Sequence, residues 1–324
     1  MTLTGCKRII PVLLALLMLL TLSLQALAAG YIDLGKEGSL TISYTDEKKP
    51  LTDVKFDLYL VATLSQNGDL TPTESFKNFR VNLFNEKGEA WKELATTLEG
   101  YVLRDGIQPT LSGHTDKNGK LSFSNPEKGL YLLLGERHTQ YDTIYEPSAS
   151  MILFPMQEGA DGVWNYDVTV YPKSESRPLP PPEDDDTISR KVLKVWEDKG
   201  HKKERPKFVV IQLLRNGKVY DTVKLSEDNN WRYRWDDLDE DYHWTVVEKE
   251  LDDYTVTVTK EGITFVVTNT YDEEPETPPD KPNDPELPQT GVLWWPVIPL
   301  VVGGLLLIVL GLYRRKQYYK DHND

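Results

Sequence analysis

The chain has 324 residues, a formal net charge of −14 at pH 7 and one cysteine, Cys6. An acidic surface of this kind repels nucleic acid and anionic membranes, so no nucleic-acid partner is expected. A single cysteine cannot form an internal disulfide. The histidines show no metal-ligand spacing and no glycine-rich phosphate loop occurs, so we expect no metal and no cofactor.

The N-terminal segment has the pattern of a secretory signal. Lys7 and Arg8 precede an apolar run over residues 9–24, and Ala26-Leu27-Ala28 gives a small-residue cleavage pattern. This order predicts a signal peptide over residues 1–28, which removes Cys6 and leaves a mature chain without thiol chemistry. About 260 residues then remain before the C-terminal anchor described below, which suggests two domains.

A first domain is predicted over residues 30–173, mainly as β-structure. Apolar and β-branched residues alternate or cluster between turn signals. The predicted strands are Leu40–Tyr44, Lys55–Ala62, Lys120–Ser124, Gly129–Leu134, Ser150–Pro155 and Tyr166–Tyr171. One stretch is helical, because apolar residues recur at three- and four-residue spacing from Trp91 to Val102 before Asp105-Gly106 ends it. The pattern predicts a β-sandwich with one helix inserted in a connection, packed at the sandwich edge.

The last strand of this domain runs into the sequence WNYDVTVYPK at residues 164–173. It resembles the WxxxVxVYPK pilin motif of Gram-positive surface proteins, and the matching residues are Trp164, Val168, Val170, Tyr171, Pro172 and Lys173. In that family the lysine attacks the acyl-enzyme that a sortase forms on the neighbouring subunit. The resemblance implies that Lys173 is an intermolecular nucleophile. The simpler alternative is a final strand that ends in a solvated lysine.

The opening of the first domain, SLTISYTD, resembles the SLTITKTD-like start of related pilin domains. Tyr44 stands where the bond-forming lysine of those domains would be. Asp57, in KFDLY, is a candidate for a position close to that site, but an acid without the amine cannot form an internal amide. We therefore expect the first domain to lack one.

Residues 174–187 contain four prolines and an acidic run, which predicts a stiff, solvated linker. A second domain follows over residues 188–271. Its predicted strands are Lys191–Trp196, Lys207–Arg215, Lys218–Leu225, Trp231–Trp235, His243–Glu248, Tyr254–Thr259 and Thr264–Thr270. Short strands at this spacing suggest an immunoglobulin-like sandwich. The predicted fold class is therefore all-β, with two tandem sandwiches.

The second domain resembles the CnaB-type domains of Gram-positive surface proteins. The matching stretches are KVWED, the Arg205-Pro206 pair, VIQLLRNGK, NNW at residues 229–231, WTVVE and TNTY. In that family a lysine on the first strand and an asparagine on the last form an internal amide, promoted by a buried acid. By position, the resemblance assigns these roles to Lys194, Asn269 and Glu248. The alternative is a plain ion pair between Lys194 and Glu248, or side chains that face solvent.

The C-terminal part has three consecutive features after a proline-rich stalk at residues 272–286. LPQTG occupies residues 287–291, an apolar stretch at 292–313 is long enough to cross a bilayer, and a basic tail at 314–324 is expected in the cytoplasm. This order resembles the cell-wall sorting signal of Gram-positive surface proteins. The matching residues are Leu287, Pro288, Thr290 and Gly291. The resemblance implies that a sortase cleaves after Thr290 and transfers its acyl group to an amine.

Together the resemblances imply a secreted, wall-anchored structural subunit of a sortase-assembled pilus, whose precursor spans the membrane once near its C-terminus. A short chain with a proline-rich stalk resembles the basal subunit, although a shaft or minor pilin remains an alternative. The implied partners are a sortase, a peptidoglycan precursor and other pilin subunits. The chain is a sortase substrate rather than an enzyme. The competing hypothesis is a wall-anchored adhesin that binds a host or matrix ligand; a secreted hydrolase has no support.

Overall fold

The computed structural model describes residues 31–83, 88–158, 163–179, 187–249, 251 and 253–271. All of them fall within one compact unit. The predicted signal peptide, stalk, sorting motif, apolar span and tail lie outside the described residues. None of the helices in the described ranges is long and apolar enough to cross a membrane.

The described part of the first domain combines many short strands with one long helix. Its strands are β1 (Ser39–Ser43), β2 (Thr45–Asp46), β3 (Lys49–Pro50), β4 (Lys55–Leu64), β5 (Leu70–Pro72), β6 (Leu111–His114), β7 (Lys120–Ser124), β8 (Gly129–Gly135), β9 (His138–Gln140), β10 (Thr143–Pro147), β11 (Ser150–Phe154), β12 (Met156–Glu158), β13 (Val163–Asn165), β14 (Asp167–Val170) and β15 (Ser174–Pro178). The helix, α1, spans Gly88–Asp105.

The core of this domain lies between two sheets. In one sheet β1 pairs in parallel with β14 and antiparallel with β7. In the other, β8 lies between β4 and β11. Alternate strand residues face the core, because successive side chains point to opposite sides of a sheet. The buried cluster between the sheets includes Leu40, Ile42, Phe56, Leu58, Leu133 and Val168. The predicted sandwich is confirmed.

Helix α1 covers the outer face of the sheet that contains β4 and β8. Tyr59 and Val61 of β4 face the helix, whereas Phe56 and Leu58 face the sandwich core. The residues that α1 buries there include Leu94, Ala95, Leu98, Tyr101 and Val102. The same cluster contains Leu214 and Val247 of the second domain. The helix therefore lies between the two domains, and its predicted place at a sandwich edge was wrong.

The predicted linker differs from expectation at both ends. Its first five residues form β15, which pairs antiparallel with β10, with Ser174 opposite Pro147. Its last residue, Thr187, begins the first strand of the second domain. Prolines are tolerated at the ends of edge strands, so composition alone did not exclude this pairing. Residues 180–186 lie outside the described part of the chain.

The second domain is a sandwich of two sheets. Its strands are β16 (Thr187–Glu197), β17 (Val209–Arg215), β18 (Lys218–Leu225), β19 (Arg232–Asp239), β20 (Trp244–Glu248), β21 (Tyr254–Glu261) and β22 (Thr264–Tyr271). One sheet has the order β19-β16-β22-β21, and the other has the order β18-β17-β20. The first and last strands, β16 and β22, are parallel neighbours. All seven predicted strands are present, and the predicted tandem-sandwich fold is confirmed.

Polar contacts also join the two domains around the turn that precedes β20. Arg137 of the first domain forms an ion pair with Asp241 at 3.2 Å, and Arg177 forms one with Glu240. The His243 ring lies 3.0 Å from the Glu99 carboxylate of α1. The domain interface is therefore apolar along the helix and charged at one end.

Candidate functional site: a buried lysine, glutamate and asparagine

Lys194 lies inside the second domain although it is a lysine on a strand. It follows Val192 by two residues on β16, so both side chains face the sandwich core. Its side chain has no exposed surface. The Nζ atom donates hydrogen bonds to the carbonyl oxygens of Val195 at 2.9 Å and Val267 at 3.1 Å. The amine is therefore held deep between β16 and β22.

Asn269 faces the same core from β22. Phe265 and Val267 precede it at two-residue intervals and pack inward with it. Its Nδ2 atom donates a hydrogen bond to Oε1 of Glu248 at 2.5 Å. Its Oδ1 atom is buried and accepts no hydrogen bond among the described residues.

Glu248 reaches the pair from the opposite sheet, at the end of β20. Alternation directs Trp244, Val246 and Glu248 into the sandwich, as the sequence predicted. The Glu248 side chain is fully buried, and its Oε2 atom lies 3.6 Å from Lys194 Nζ. The structure thus brings together the three residues that the resemblance singled out. The alternative of solvent-facing side chains is excluded, whereas the alternative of a plain ion pair is compatible with the 3.6 Å contact.

Burial pushes both ionisable groups toward their neutral forms. Burial lowers the pKa of Lys194 to about 8, although the nearby Glu248 carboxyl opposes the shift. Burial likewise raises the pKa of Glu248, against the opposing effects of Lys194 and of the hydrogen bond from Asn269. A neutral amine has a free electron pair for attack, and a neutral carboxylic acid can donate a proton.

Two acceptor atoms in this site are left without a hydrogen bond among the described residues, Oε2 of Glu248 and Oδ1 of Asn269. An unsatisfied buried polar atom costs about 1–3 kcal/mol. Such atoms are rare in folded proteins and often mark reactive positions. A protonated Glu248 would supply the missing donor to the amide oxygen.

Aromatic residues close the space around the amine. The Trp196 ring centroid lies 4.4 Å from Lys194 Nζ. Trp231 and Tyr254 contact Trp196 edge-on, and each of their ring centroids lies 5.2 Å from that of Trp196. This enclosure excludes water, which protects an amide from hydrolysis and strengthens electrostatic effects inside the site.

Sequence reasoning did not assign a role to Arg205. Its guanidinium lies 5.4 Å from the Trp196 ring centroid and forms an ion pair with Asp198. Its positive charge also contributes to lowering the pKa of Lys194. The Arg205-Pro206 pair was part of the sequence match, but nothing in the pattern indicated that this arginine lies beside the buried lysine.

The residues of the pilin motif lie at the end of the first domain. Val168 is buried in the sandwich core and Val170 packs against it, while Tyr171 is 72% exposed. Lys173 is also exposed, and its carbonyl oxygen accepts a hydrogen bond from the Ser148 amide at 2.8 Å. Trp164 lies in β13 and is partly buried. The lysine thus projects from a fixed backbone between β14 and β15.

The first domain has a different arrangement at Tyr44. The tyrosine is fully buried and meets Phe56 edge-on at 5.3 Å, and burial raises the pKa of Tyr44. Asp57 points to the other side of β4, where it lies 3.2 Å from Lys55 and accepts a hydrogen bond from Ser112. Asp57 is therefore not beside Tyr44, and that expectation was wrong.

The sorting residues Leu287, Pro288, Thr290 and Gly291 lie outside the described residues. Within the described ranges, no group of three or more side chains could hold a metal ion.

Two protein families match the chain. Residues 25–175 match the family described as Gram-positive pilin subunit D1, N-terminal domain, and residues 190–270 match the Cna protein B-type domain. A collagen adhesin of Staphylococcus aureus is 35% identical over 85 residues, which are 24% of this chain and 7% of that protein. The chain thus spans a small fraction of the length of this curated relative.

Solved structures give weaker likenesses. The full-length major pilin SpaD of Corynebacterium diphtheriae is 17% identical with a TM-score of 0.31, covering 74% of this chain and 66% of that one. A mutant of the shaft pilin SpaA of Lactobacillus rhamnosus GG is 15% identical with a TM-score of 0.27. This match covers 74% of this chain and 100% of that one. Scores this low do not bear on function. The two family matches support a Gram-positive pilin, built from a pilin D1 domain followed by a Cna B-type domain.

Proposed function

We propose that this chain is the basal, wall-anchored subunit of a sortase-assembled pilus. Its domain types support a structural role at the cell surface, in a pilin or an adhesin. In the proposed role, Lys173 accepts the neighbouring subunit, and Thr290 is transferred to peptidoglycan. The LPQTG sequence, the apolar stretch and the basic tail that follow the stalk support the anchoring step.

The second part of the proposal is a self-formed amide between Lys194 and Asn269. The observation that carries it is the buried contact of Lys194, Glu248 and Asn269, with Nζ 3.6 Å from one Glu248 oxygen and Nδ2 2.5 Å from the other. No partner chain, cofactor or metal is needed for this reaction.

The reaction balances within these three side chains. The neutral Lys194 amine attacks Cγ of Asn269 while protonated Glu248 donates to the amide oxygen. The Cγ–Nδ2 bond then breaks, the proton lost by the amine passes through Glu248 to the leaving nitrogen, and one ammonia departs. The product is an amide between Nζ and Cγ, and Glu248 returns to its starting form.

The role of Lys173 is supported by its exposure beside a rigid strand. Val168 and Val170 anchor β14 in the core, so the following lysine has a defined position. Pro172 cannot donate a backbone hydrogen bond, which ends the strand pairing just before the lysine. An exposed primary amine at a fixed position is suitable for attack on an acyl-enzyme.

The second candidate function is a wall-anchored adhesin. It is favoured by the 35% identity to a protein named a collagen adhesin, although the match covers 7% of that protein. An adhesin of this kind would be attached to the wall as a monomer and would need no acceptor lysine.

Wall extracts separate the two functions. We expect wild-type cells that express the pilus sortases to give a ladder of covalent polymers on a denaturing gel probed for this chain. Lys173→Ala should reduce this to monomer-sized material that is still wall-linked. Lys117, which is exposed in a turn of the same domain, supplies the matched control, and Lys117→Ala should retain the ladder.

Two outcomes would contradict the proposal. An unchanged ladder in Lys173→Ala would show that another amine is the acceptor. Monomer-sized, wall-linked material in the wild type would favour the adhesin.

A further inference from the structure

The strand that carries Glu248 is supported from outside its own domain. β20 is five residues long and lies at the edge of its sheet, where β17 is its only pairing partner among the described strands. All five of its residues are nevertheless buried. Trp244, Val246 and Glu248 face the sandwich core, so Thr245 and Val247 face the other way. Helix α1 of the first domain covers that outer face, where Val247 packs in one buried cluster with Leu98 and other apolar residues of the helix.

The helix approaches β20 closely at Gly100. A Cβ atom at this position would lie 2.7 Å from Cγ2 of Val247 and 2.9 Å from the carbonyl oxygen of Val246. Such distances are too short for any residue larger than glycine without movement of one element. The glycine, which weakens a helix, is thus explained by the contact.

The first domain also forms hydrogen bonds with β21, a second strand near the site. The Val258 amide donates to Thr97 Oγ1 of α1 at 2.8 Å, and the Val256 amide donates to the Arg80 carbonyl at 2.9 Å. Both amides belong to the outer edge of β21, and Val256 is the cross-strand partner of Asn269. The first domain therefore contacts β20, which carries Glu248, and β21, which is paired with the strand that carries Asn269.

We propose that helix α1 positions Glu248 for the Lys194–Asn269 reaction, with Gly100 as the positioning residue. This inference rests on the proposed amide bond and concerns its rate. Reactions between buried groups depend on placement within about 1 Å, and a shift of that size can cost about 100-fold in rate. β20 is a five-residue edge strand, so its own sheet holds it from one side, through β17 among the described strands. The docked helix supplies the missing constraint.

The test follows bond formation in the full chain. The chain is made by cell-free translation with mild detergent, samples are quenched in denaturant at intervals, and intact mass gives the linked fraction as the loss of one ammonia. Brief proteolysis of parallel samples gives the folded fraction, so that the rate is expressed for folded molecules.

The matched pair of variants is Gly100→Ala and Gly88→Ala. Both replace glycine by alanine in α1, which favours the helix in each case. A Cβ at Gly88 has no neighbour within 4 Å among the described residues, whereas one at Gly100 meets β20. We expect Gly88→Ala to link at the wild-type rate and Gly100→Ala to link at least about tenfold more slowly. Adding Val247→Ala removes the closest clashing atom and should restore part of the rate.

The outcomes are distinct from those of the proposed function. A wild-type chain that never loses ammonia would overturn the bond itself and this inference with it. A wild-type chain that links, alongside Gly100→Ala linking equally fast per folded molecule, would overturn only the positioning role. Equally slow linking in Gly88→Ala would also contradict it, because the defect would then not depend on the contact between Gly100 and β20.

Discussion

Replacing Glu248 by glutamine should prevent the internal bond while changing little else. Glutamine has nearly the same volume, and its carbonyl oxygen can still accept the hydrogen bond that Asn269 Nδ2 donates to Oε1. It cannot supply the proton that the reaction needs. We therefore expect Glu248→Gln to be heavier, after correction for the substitution, than the linked wild type by one ammonia.

The loss of stability can be estimated from the size of the loop. A bond between Lys194 and Asn269 closes about 75 residues, and the loop-entropy relation for cross-links assigns such a closure about 4.5 kcal/mol. A typical domain is stable by about 5–15 kcal/mol. For a domain of this size 1 kcal/mol corresponds to about 4–8 °C, so the melting temperature of the second domain should fall by on the order of 20 °C.

Calorimetry of the wild type and Glu248→Gln, together with trypsin digestion, measures this difference. Glu136→Gln is the control, because Glu136 is a 62% exposed glutamate paired with Lys55 in the first domain. Its melting temperature should stay within a few degrees of the wild type, since an exposed ion pair contributes about 0–1 kcal/mol. A linked Glu248→Gln chain would refute the role of the acid. An unlinked one that melts like the wild type would refute the loop-entropy argument.

Two further predictions concern anchoring and pH. Thr290→Ala should leave the chain in the membrane or medium instead of the wall fraction, and wall retention would remove the basis of the sorting assignment. Burial lowers the pKa of His243, but the Glu99 carboxylate raises it by more, so the net shift is upward. The ion pair should therefore stabilise the docked domains fully below about pH 6.5 and lose this effect as pH rises through the raised pKa. The melting temperature of the wild type relative to His243→Gln should fall over that range; a constant difference would show that His243 does not titrate there.

Much of the fold followed from local patterns. Alternation placed all seven strands of the second domain, and the Asn216-Gly217 pair turns with positive φ at both residues, 47° and 79°, as a tight hairpin requires. The same alternation put Glu248 on the inward face with Trp244. Lys194, by contrast, could be assigned a buried role only through the family resemblance, because lysines on strands are usually exposed.

The sequence could not show which element each predicted face or strand packs against. The apolar stripe of α1 predicted a packed face, but periodicity does not say whether that face meets one domain or two. Gly100 weakened the helix prediction, and its reason is a contact with Val247, about 150 positions away in sequence. The pairing of β15 with β10 was hidden in the same way, since prolines and acidic residues are typical of linkers.

The proposed attachments also account for the contrast between Tyr44 and Lys194. If Lys173 carries the next subunit and Thr290 the wall, the covalent path between them leaves residues 31–172 to one side. Of the described strands of the first domain, only β15 then lies on the path, so β1–β14 bear no tension along their length and a buried tyrosine suffices at Tyr44. The second domain lies on the path, and force enters at the start of β16 and leaves at the end of β22. These parallel neighbours are pulled in opposite directions. Without the amide, hydrogen bonds of about 1 kcal/mol each would resist the shear, whereas a covalent bond between Lys194 and Asn269 carries it directly.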